Sequence, residues 1–178
     1  MKTIKIYSML YLKFFLFGML LVLTSCKKDD DIPNPIDQLP PATQTGENTF
    51  GCLINGELFS ITNSSQIGAI YQGGLLQLSG SISKTNFNQS VGFNLYDPLL
   101  EGQMYTFENS SYKAGYSLNI NNIMCFYEFE DTYKGNITIT TFDKTNYIIS
   151  GTFSFSTITD GCEEISITNG RFDVHYIP

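Results

Sequence analysis

The stretch FGCLINGELFSI, residues 50–61, reads as two short alternating runs joined by Asn55-Gly56. Asn-Gly is the strongest short hairpin signal, because a type I′ turn needs positive φ at both central positions and these two residues tolerate it. A two-residue loop there sets Ile54 against Glu57, Cys52 against Phe59, and Phe50 against Ile61. Side chains alternate across a strand, so Phe50, Cys52, Ile54, Phe59 and Ile61 share one face. That face goes to a core.

The same texture continues from Thr49 to the end of the chain. Runs at 75–83, 90–96, 104–107, 116–120 and 124–130 are separated by Gly, Asn and Asp. In NITITTF (136–142) and YIISGTFSFS (147–156), Ile137 and Ile139 lie on one phase, while Tyr147, Ile149, Phe153 and Phe155 lie on the other. A two-residue loop would set Thr140 against Ile149. An odd loop centred on Lys144, with a bulge at Thr145 or Asn146, sets Ile139 against Ile149 and is the predicted connection. Asn169-Gly170 predicts a second two-residue turn, pairing Ile167 with Phe172 and Ile165 with Val174 inside. On the outer face the same turn pairs Glu164 with His175 and Ser166 with Asp173.

No stretch after Cys26 carries a sustained 3.6-residue period with caps, so no long helix is expected. About ten short strands at spacings of roughly 8–12 residues predict an all-β fold, an antiparallel β-sandwich, with a closed β-barrel as the alternative. The 14 Phe and 11 Tyr, with no Trp, suit strands.

The amino end has a different character. Lys2, Lys5 and Lys13 precede FFLFGMLLVL (14–23), an uncharged apolar run too short to span a bilayer and of the length of a signal h-region. Leu23-Thr24-Ser25-Cys26 resembles the lipobox of bacterial lipoproteins. The resemblance implies cleavage before Cys26 and a lipid on its sulfur, which must be cysteine because a thiolate is the nucleophile. An ordinary secretory signal cut at Ser25, or a transmembrane anchor, is the alternative. KKDDD (27–31) resembles the charged, Asp-rich signal that sends lipoproteins of Bacteroidetes-type bacteria to the outer face of the outer membrane; a solvated charge run is the plainer reading.

Residues 32–48 hold four of the six prolines, which predicts an extended linker. The expected organisation is therefore a signal peptide at 1–25, a lipidated cysteine and Pro-rich linker at 26–46, and an all-β domain at 47–178.

Three of the ten basic residues precede Cys26 and none of the 17 acidic ones does, so the rest of the chain carries −10. Such a surface repels phosphate backbones, and no nucleic-acid partner is expected. The catalytic inventory is thin. His175 is the single histidine, and an ion pair with Glu164 on a solvated face is its expected role. Ser81-Ile-Ser-Lys84 has the S-x-x-K form, but that motif needs a helix and this run alternates as a strand. DPLLEG (97–102) fails as a calcium loop at Leu99, and Glu128, Glu130 and Asp131 read as an exposed strand edge rather than a cation site. No catalytic residue, metal or cofactor is assigned.

Of the remaining cysteines, Cys52 lies on the apolar hairpin face, consistent with a packed free thiol, and Cys125 and Cys162, both in the carboxy-terminal sheet region, are the favoured disulfide. NTFGCLINGELF (48–59), GNITITTFD (135–143), IISGTFSFS (148–156) and ITNGRFDV (167–174) together resemble a family of small Bacteroidetes-type outer-membrane lipoproteins of unknown function. That resemblance implies the fold and the location and supplies no site residues. The function expected is a surface-tethered, non-enzymatic binding or envelope-structural module in the cell envelope, attached to the membrane through the lipid at Cys26. A secreted hydrolase or nutrient-capture accessory protein is the alternative. A small-molecule, glycan or protein ligand would be held by loops at one end of the sandwich, where Tyr112, Tyr116 and Tyr133 offer flat faces and hydroxyls.

Overall fold

A computed structural model describes residues 33–108 and 111–178. The signal sequence, Cys26 and the charged run after it lie outside the described residues. Eleven strands follow in order: β1 (Thr49–Ile54), β2 (Glu57–Ile61), β3 (Ile67–Gln72), β4 (Leu75–Lys84), β5 (Phe87–Tyr96), β6 (Met104–Thr106), β7 (Tyr112–Ile120), β8 (Ile123–Tyr127), β9 (Thr132–Asp143), β10 (Ile148–Thr157) and β11 (Ile165–His175). They form two antiparallel sheets, one in the order β2-β1-β11-β10-β9-β6 and the other in the order β3-β4-β5-β7-β8. The fold is thus the β-sandwich, and the barrel alternative falls. After β11 the chain crosses to the edge of the second sheet, where Ile177 donates its N–H to Ala69 and accepts from Tyr71 N–H.

Inner faces of both sheets meet in one aromatic core. Phe153 of β10 sits 5.3 Å from Phe50 of β1 and 4.8 Å from Phe93 of β5, ring centre to ring centre. Spacings in this range suit edge-to-face and tilted contacts, which add to the area these rings bury. The first hairpin has the register expected from its turn: Ile54 faces Glu57, Cys52 faces Phe59 and Phe50 faces Ile61. Asn55 and Gly56 have φ of 50° and 85°.

Two expected turns are not formed as read. Asn169-Gly170 lies inside β11, which pairs with β1 on one side and β10 on the other. The register slips by one between Phe153 and Phe155, so Asn169, at φ 55°, occupies a bulge rather than a turn. A one-residue bulge and a two-residue turn both shift the phase by one. Ile165, Ile167, Phe172 and Val174 are therefore all buried, as expected, on a single continuous strand. Gly170 is needed for a different reason: a Cβ there would lie 2.4 Å from the Phe153 ring.

The β9–β10 connection is even, not odd. Asp143 pairs with Ile148 across a four-residue loop, 144–147, and Phe142 faces Ile149. The phase correction sits within β9 instead, where Ser150 faces Thr141 and Gly151 faces Ile139. Asp143 holds the loop by accepting from the N–H groups of Thr145 and Asn146 and from the Asn146 amide. A carboxylate at a loop's first position competes well for such N–H groups, which favours the longer turn.

The Pro-rich segment is not a free spacer along its whole length. Leu39 and Pro40 are buried over Gly51 on the outer face of the six-stranded sheet. Thr43, Thr45, Gly46 and Glu47 then surround Asp173, and Thr141 donates to Gln44. Residues 39–47 form a strap across that sheet, held by polar contacts that alternation alone does not reveal.

Candidate functional site

The three tyrosines singled out from the sequence do not gather. Tyr112 and Tyr116 are both on the inward phase of β7, four residues or about 13 Å apart along the strand. Tyr112 packs against Tyr105 at 4.5 Å, and burial with the neighbouring Tyr105 and Asp97 raises its pKa. Tyr116 is buried between the sheets, 5.4 Å from Tyr127, and its hydroxyl accepts from Gln89. Tyr133 lies on β9 of the other sheet, exposed, and donates to Glu164. Two of them are packing residues because the alternation that made them visible also turned them inward.

That contact also removes the expected partner of His175. Glu164 lies against Tyr133, while the His175 ring stands beside Gly46 of the strap and its backbone N–H donates to Asn48. Cys125 and Cys162 are joined, with Cα atoms 6.0 Å apart, and Cys52 is a buried free thiol whose pKa burial pushes up to about 12. A thiol so placed is inert rather than nucleophilic. Among the described residues no three His, Cys, Asp or Glu side chains are grouped to hold a metal ion. Glu130 instead pairs with Lys113 at 3.2 Å.

The feature that can take a ligand lies on the outer face of the five-stranded sheet. Register places Ser79, Gly92 and Gly115 in one row across β4, β5 and β7, and Ser81, Ser90 and Ser117 in the next. The flanking rows are Gln77–Asn94–Lys113 and Ser83–Asn88–Asn119. No β-branched or aromatic side chain rises from this floor. Ser, Gly and Asn are poor strand formers, so keeping them on three strands, all interior to the sheet, costs stability that packing on this face does not return.

A wall bounds the floor on one side. β8 ends at Tyr127, and the chain lifts into a short 3₁₀ turn at Phe129–Asp131, closed by Glu128 N–H donating to the Asp131 carboxylate. Phe129 folds back over Gly115, where a Cβ would lie 3.3 Å from its ring and 3.2 Å from the Tyr127 carbonyl. Phe126 stands beside it with 58% of its surface exposed. Floor and wall form a groove of about 310 Å³, lined by Ser90, Gly92, Gly115, Ser117, Phe126 and Phe129 together with Glu128 and Glu130. That volume is at the lower end of ligand sites. The alternation of these runs implies a solvated face on β4, β5 and β7 but does not single out its Gly/Ser rows. What alternation could not supply was the turn of Phe129 that makes a groove of it.

Residues 47–174 match the family model described as a domain of unknown function (DUF6252). This span is more than half of the chain, and the chain belongs to that family. No curated protein and no solved structure matches it.

Proposed function

We propose that this member of the DUF6252 family is a lipid-tethered binding module of a bacterial outer membrane, and that it takes its ligand in the groove of the five-stranded sheet. The tether rests on the charged start, the ten-residue apolar run and the Leu23-Thr24-Ser25-Cys26 box. Several acyl chains on Cys26 would hold the protein to the membrane effectively permanently. Display on a Bacteroidetes-type cell surface rests on the KKDDD run. The observation that carries the binding role is the pairing of a stripped Gly/Ser floor with the exposed Phe126. Aromatic side chains lining a concavity with a few polar groups are what ligand sites offer.

Binding without turnover is favoured because general acid–base chemistry needs ionisable groups converging on one reacting atom. Two glutamates, Glu128 and Glu130, line the groove, and Glu130 is paired with Lys113. Metabolic labelling with a fatty-acid analogue tests the tether, since Cys26→Ser should abolish the label; equal label on both proteins defeats it. Binding of soluble probes with amide shifts read at Gly92 and Gly115 tests the site. Hydrolysis lost with His175→Ala would overturn the non-enzymatic reading.

A further inference from the structure

We infer that the groove recognises a neutral saccharide, a reading that rests on the binding role proposed above and names its ligand class. Charge limits the ligand first. The one cation on the floor, Lys113, is paired with Glu130, and Glu128 adds a carboxylate to the lining. With −10 on the chain beyond the signal, an anionic ligand meets repulsion from both the site and the molecule.

Shape limits it next. The row Ser79–Gly92–Gly115 carries no side chain larger than serine, so the sheet lies low across β4 and β5 up to Phe129, which covers Gly115. A flat, ring-shaped ligand lies on such a floor; a branched or bulky one gains nothing from it. The phenyl rings of Phe126 and Phe129 stand at its edge, and a pyranose offers them the face that carries its axial C–H bonds. The rest of a pyranose is hydroxyl groups, and the groove answers with the hydroxyls of Ser90 and Ser117. Ser81 and Ser90 already share a hydrogen bond at 2.8 Å, a pair that can turn to donate to or accept from a sugar hydroxyl. Beyond the lining residues, Asn94 and Gln77 in the row next to Gly92 each carry both a donor and an acceptor. A purely apolar ligand would leave these polar groups without partners.

Gly92 provides the decisive variant. A Cβ built there meets only ordinary contacts, 3.6 Å from the Leu78 carbonyl and from Ser79 Cβ, so Gly92→Leu fills the floor without forcing the sheet apart. The full-length protein is titrated with β1,4-glucan, β1,4-xylan, β1,4-mannan and α1,4-glucan hexasaccharides, with polygalacturonate as the anionic control and 1-N-phenylnaphthylamine as the neutral apolar one. At least one neutral hexasaccharide should bind and shift the amides of Gly92, Gly115 and Ser117. Phe126→Ala and Gly92→Leu should each weaken it tenfold or more, with unfolding midpoints near that of the parent. Phenylnaphthylamine binding at the groove with no hexasaccharide bound would overturn the saccharide and leave the groove as a site. A preference for polygalacturonate would overturn the charge argument and with it the proposal. Saccharide binding untouched by both variants would show that the groove is the wrong place, and no binding by any probe would sink both readings.

Discussion

Replacing Asp173 by Asn should loosen the strap and lower stability by about 3 kcal/mol at neutral pH. Asp173 is fully buried. One carboxylate oxygen accepts from Gly46 N–H at 2.8 Å and Ser150 Oγ at 2.7 Å; the other accepts from Thr43 Oγ1 at 2.6 Å and from the N–H groups of Thr45 and Glu47, both at 3.1 Å. Burial acts to raise its pKa, but the Thr43 and Ser150 hydroxyls and the Glu47 and Gly46 amides outweigh it and draw the pKa from 3.8 to about 2. Such a depression corresponds to about 2 kcal/mol of stability by linkage. The folded pKa lies below the unfolded one, so this contribution is complete above roughly pH 5 and fades as the pH falls towards 2. An amide keeps one acceptor oxygen. If its NH₂ takes the place facing Ser150, that hydroxyl can turn to accept, but Gly46 N–H then faces a donor. An orphaned buried N–H costs about 1–3 kcal/mol, and the remaining bonds lose their charge assistance. Urea unfolding at pH 7 and pH 2.5 measures the difference, which should shrink by more than half at the lower pH. Hydrogen exchange at residues 43–47 should quicken in the variant at pH 7. A loss under about 0.5 kcal/mol, or a loss that does not change with pH, would refute the clasp.

Gly170→Ala should destabilise by about 2 kcal/mol or more, because its Cβ would meet the Phe153 ring at 2.4 Å and the bulge holds Gly170 in place; a neutral effect on the urea midpoint would contradict that packing. Removing the Cys125–Cys162 bond, which closes a loop of 37 residues' separation, should cost roughly 4 kcal/mol on the chain-entropy model, and non-reducing peptide mapping should join these two cysteines alone. Cys52, with its pKa held near 12 by burial, should resist iodoacetamide at pH 8 until denaturant is added. His175→Ala should cost less than about 1 kcal/mol by thermal melt, since the residue is exposed and its hydrogen bond to Asn48 is made by the backbone N–H, which alanine keeps.

Legibility followed how locally each feature is determined. The Asn55-Gly56 hairpin could be read to the residue because its turn type, phase and inward face all lie within twelve positions. The long pairings could not, because parity is a sum over everything between two anchor residues. At Asn169-Gly170 the inward faces of Ile165, Ile167, Phe172 and Val174 were correctly assigned while the chain path was wrong, since bulge and turn change phase alike. The β9–β10 correction was placed in the loop when it lies at Thr140, next to a Gly151 whose missing side chain brings the Thr138 carbonyl and the Phe172 ring close. Both errors concern where one extra residue goes. Pattern fixes that such a residue exists and leaves its position to packing.

The outer faces pose a harder version of the same problem, because both sheets present polar residues outward and alternation marks them as equally solvated. Their composition nevertheless differs. Asp173, Ser150, Thr141 and Arg171 on the six-stranded sheet are groups that can fasten a backbone, and a strap lies across them: Asp173 takes five donors, and Arg171 reaches the Pro40 carbonyl. The five-stranded sheet carries Ser, Gly and Asn, which fasten little and fill little, with phenyl rings at the rim. A face built to bind part of its own chain needs strong fixed acceptors. A face built to receive a separate ligand needs clearance, reorientable hydroxyls and a surface that stays open when nothing is bound. The low strand propensity of that second face is the sequence feature on which the proposed binding role rests.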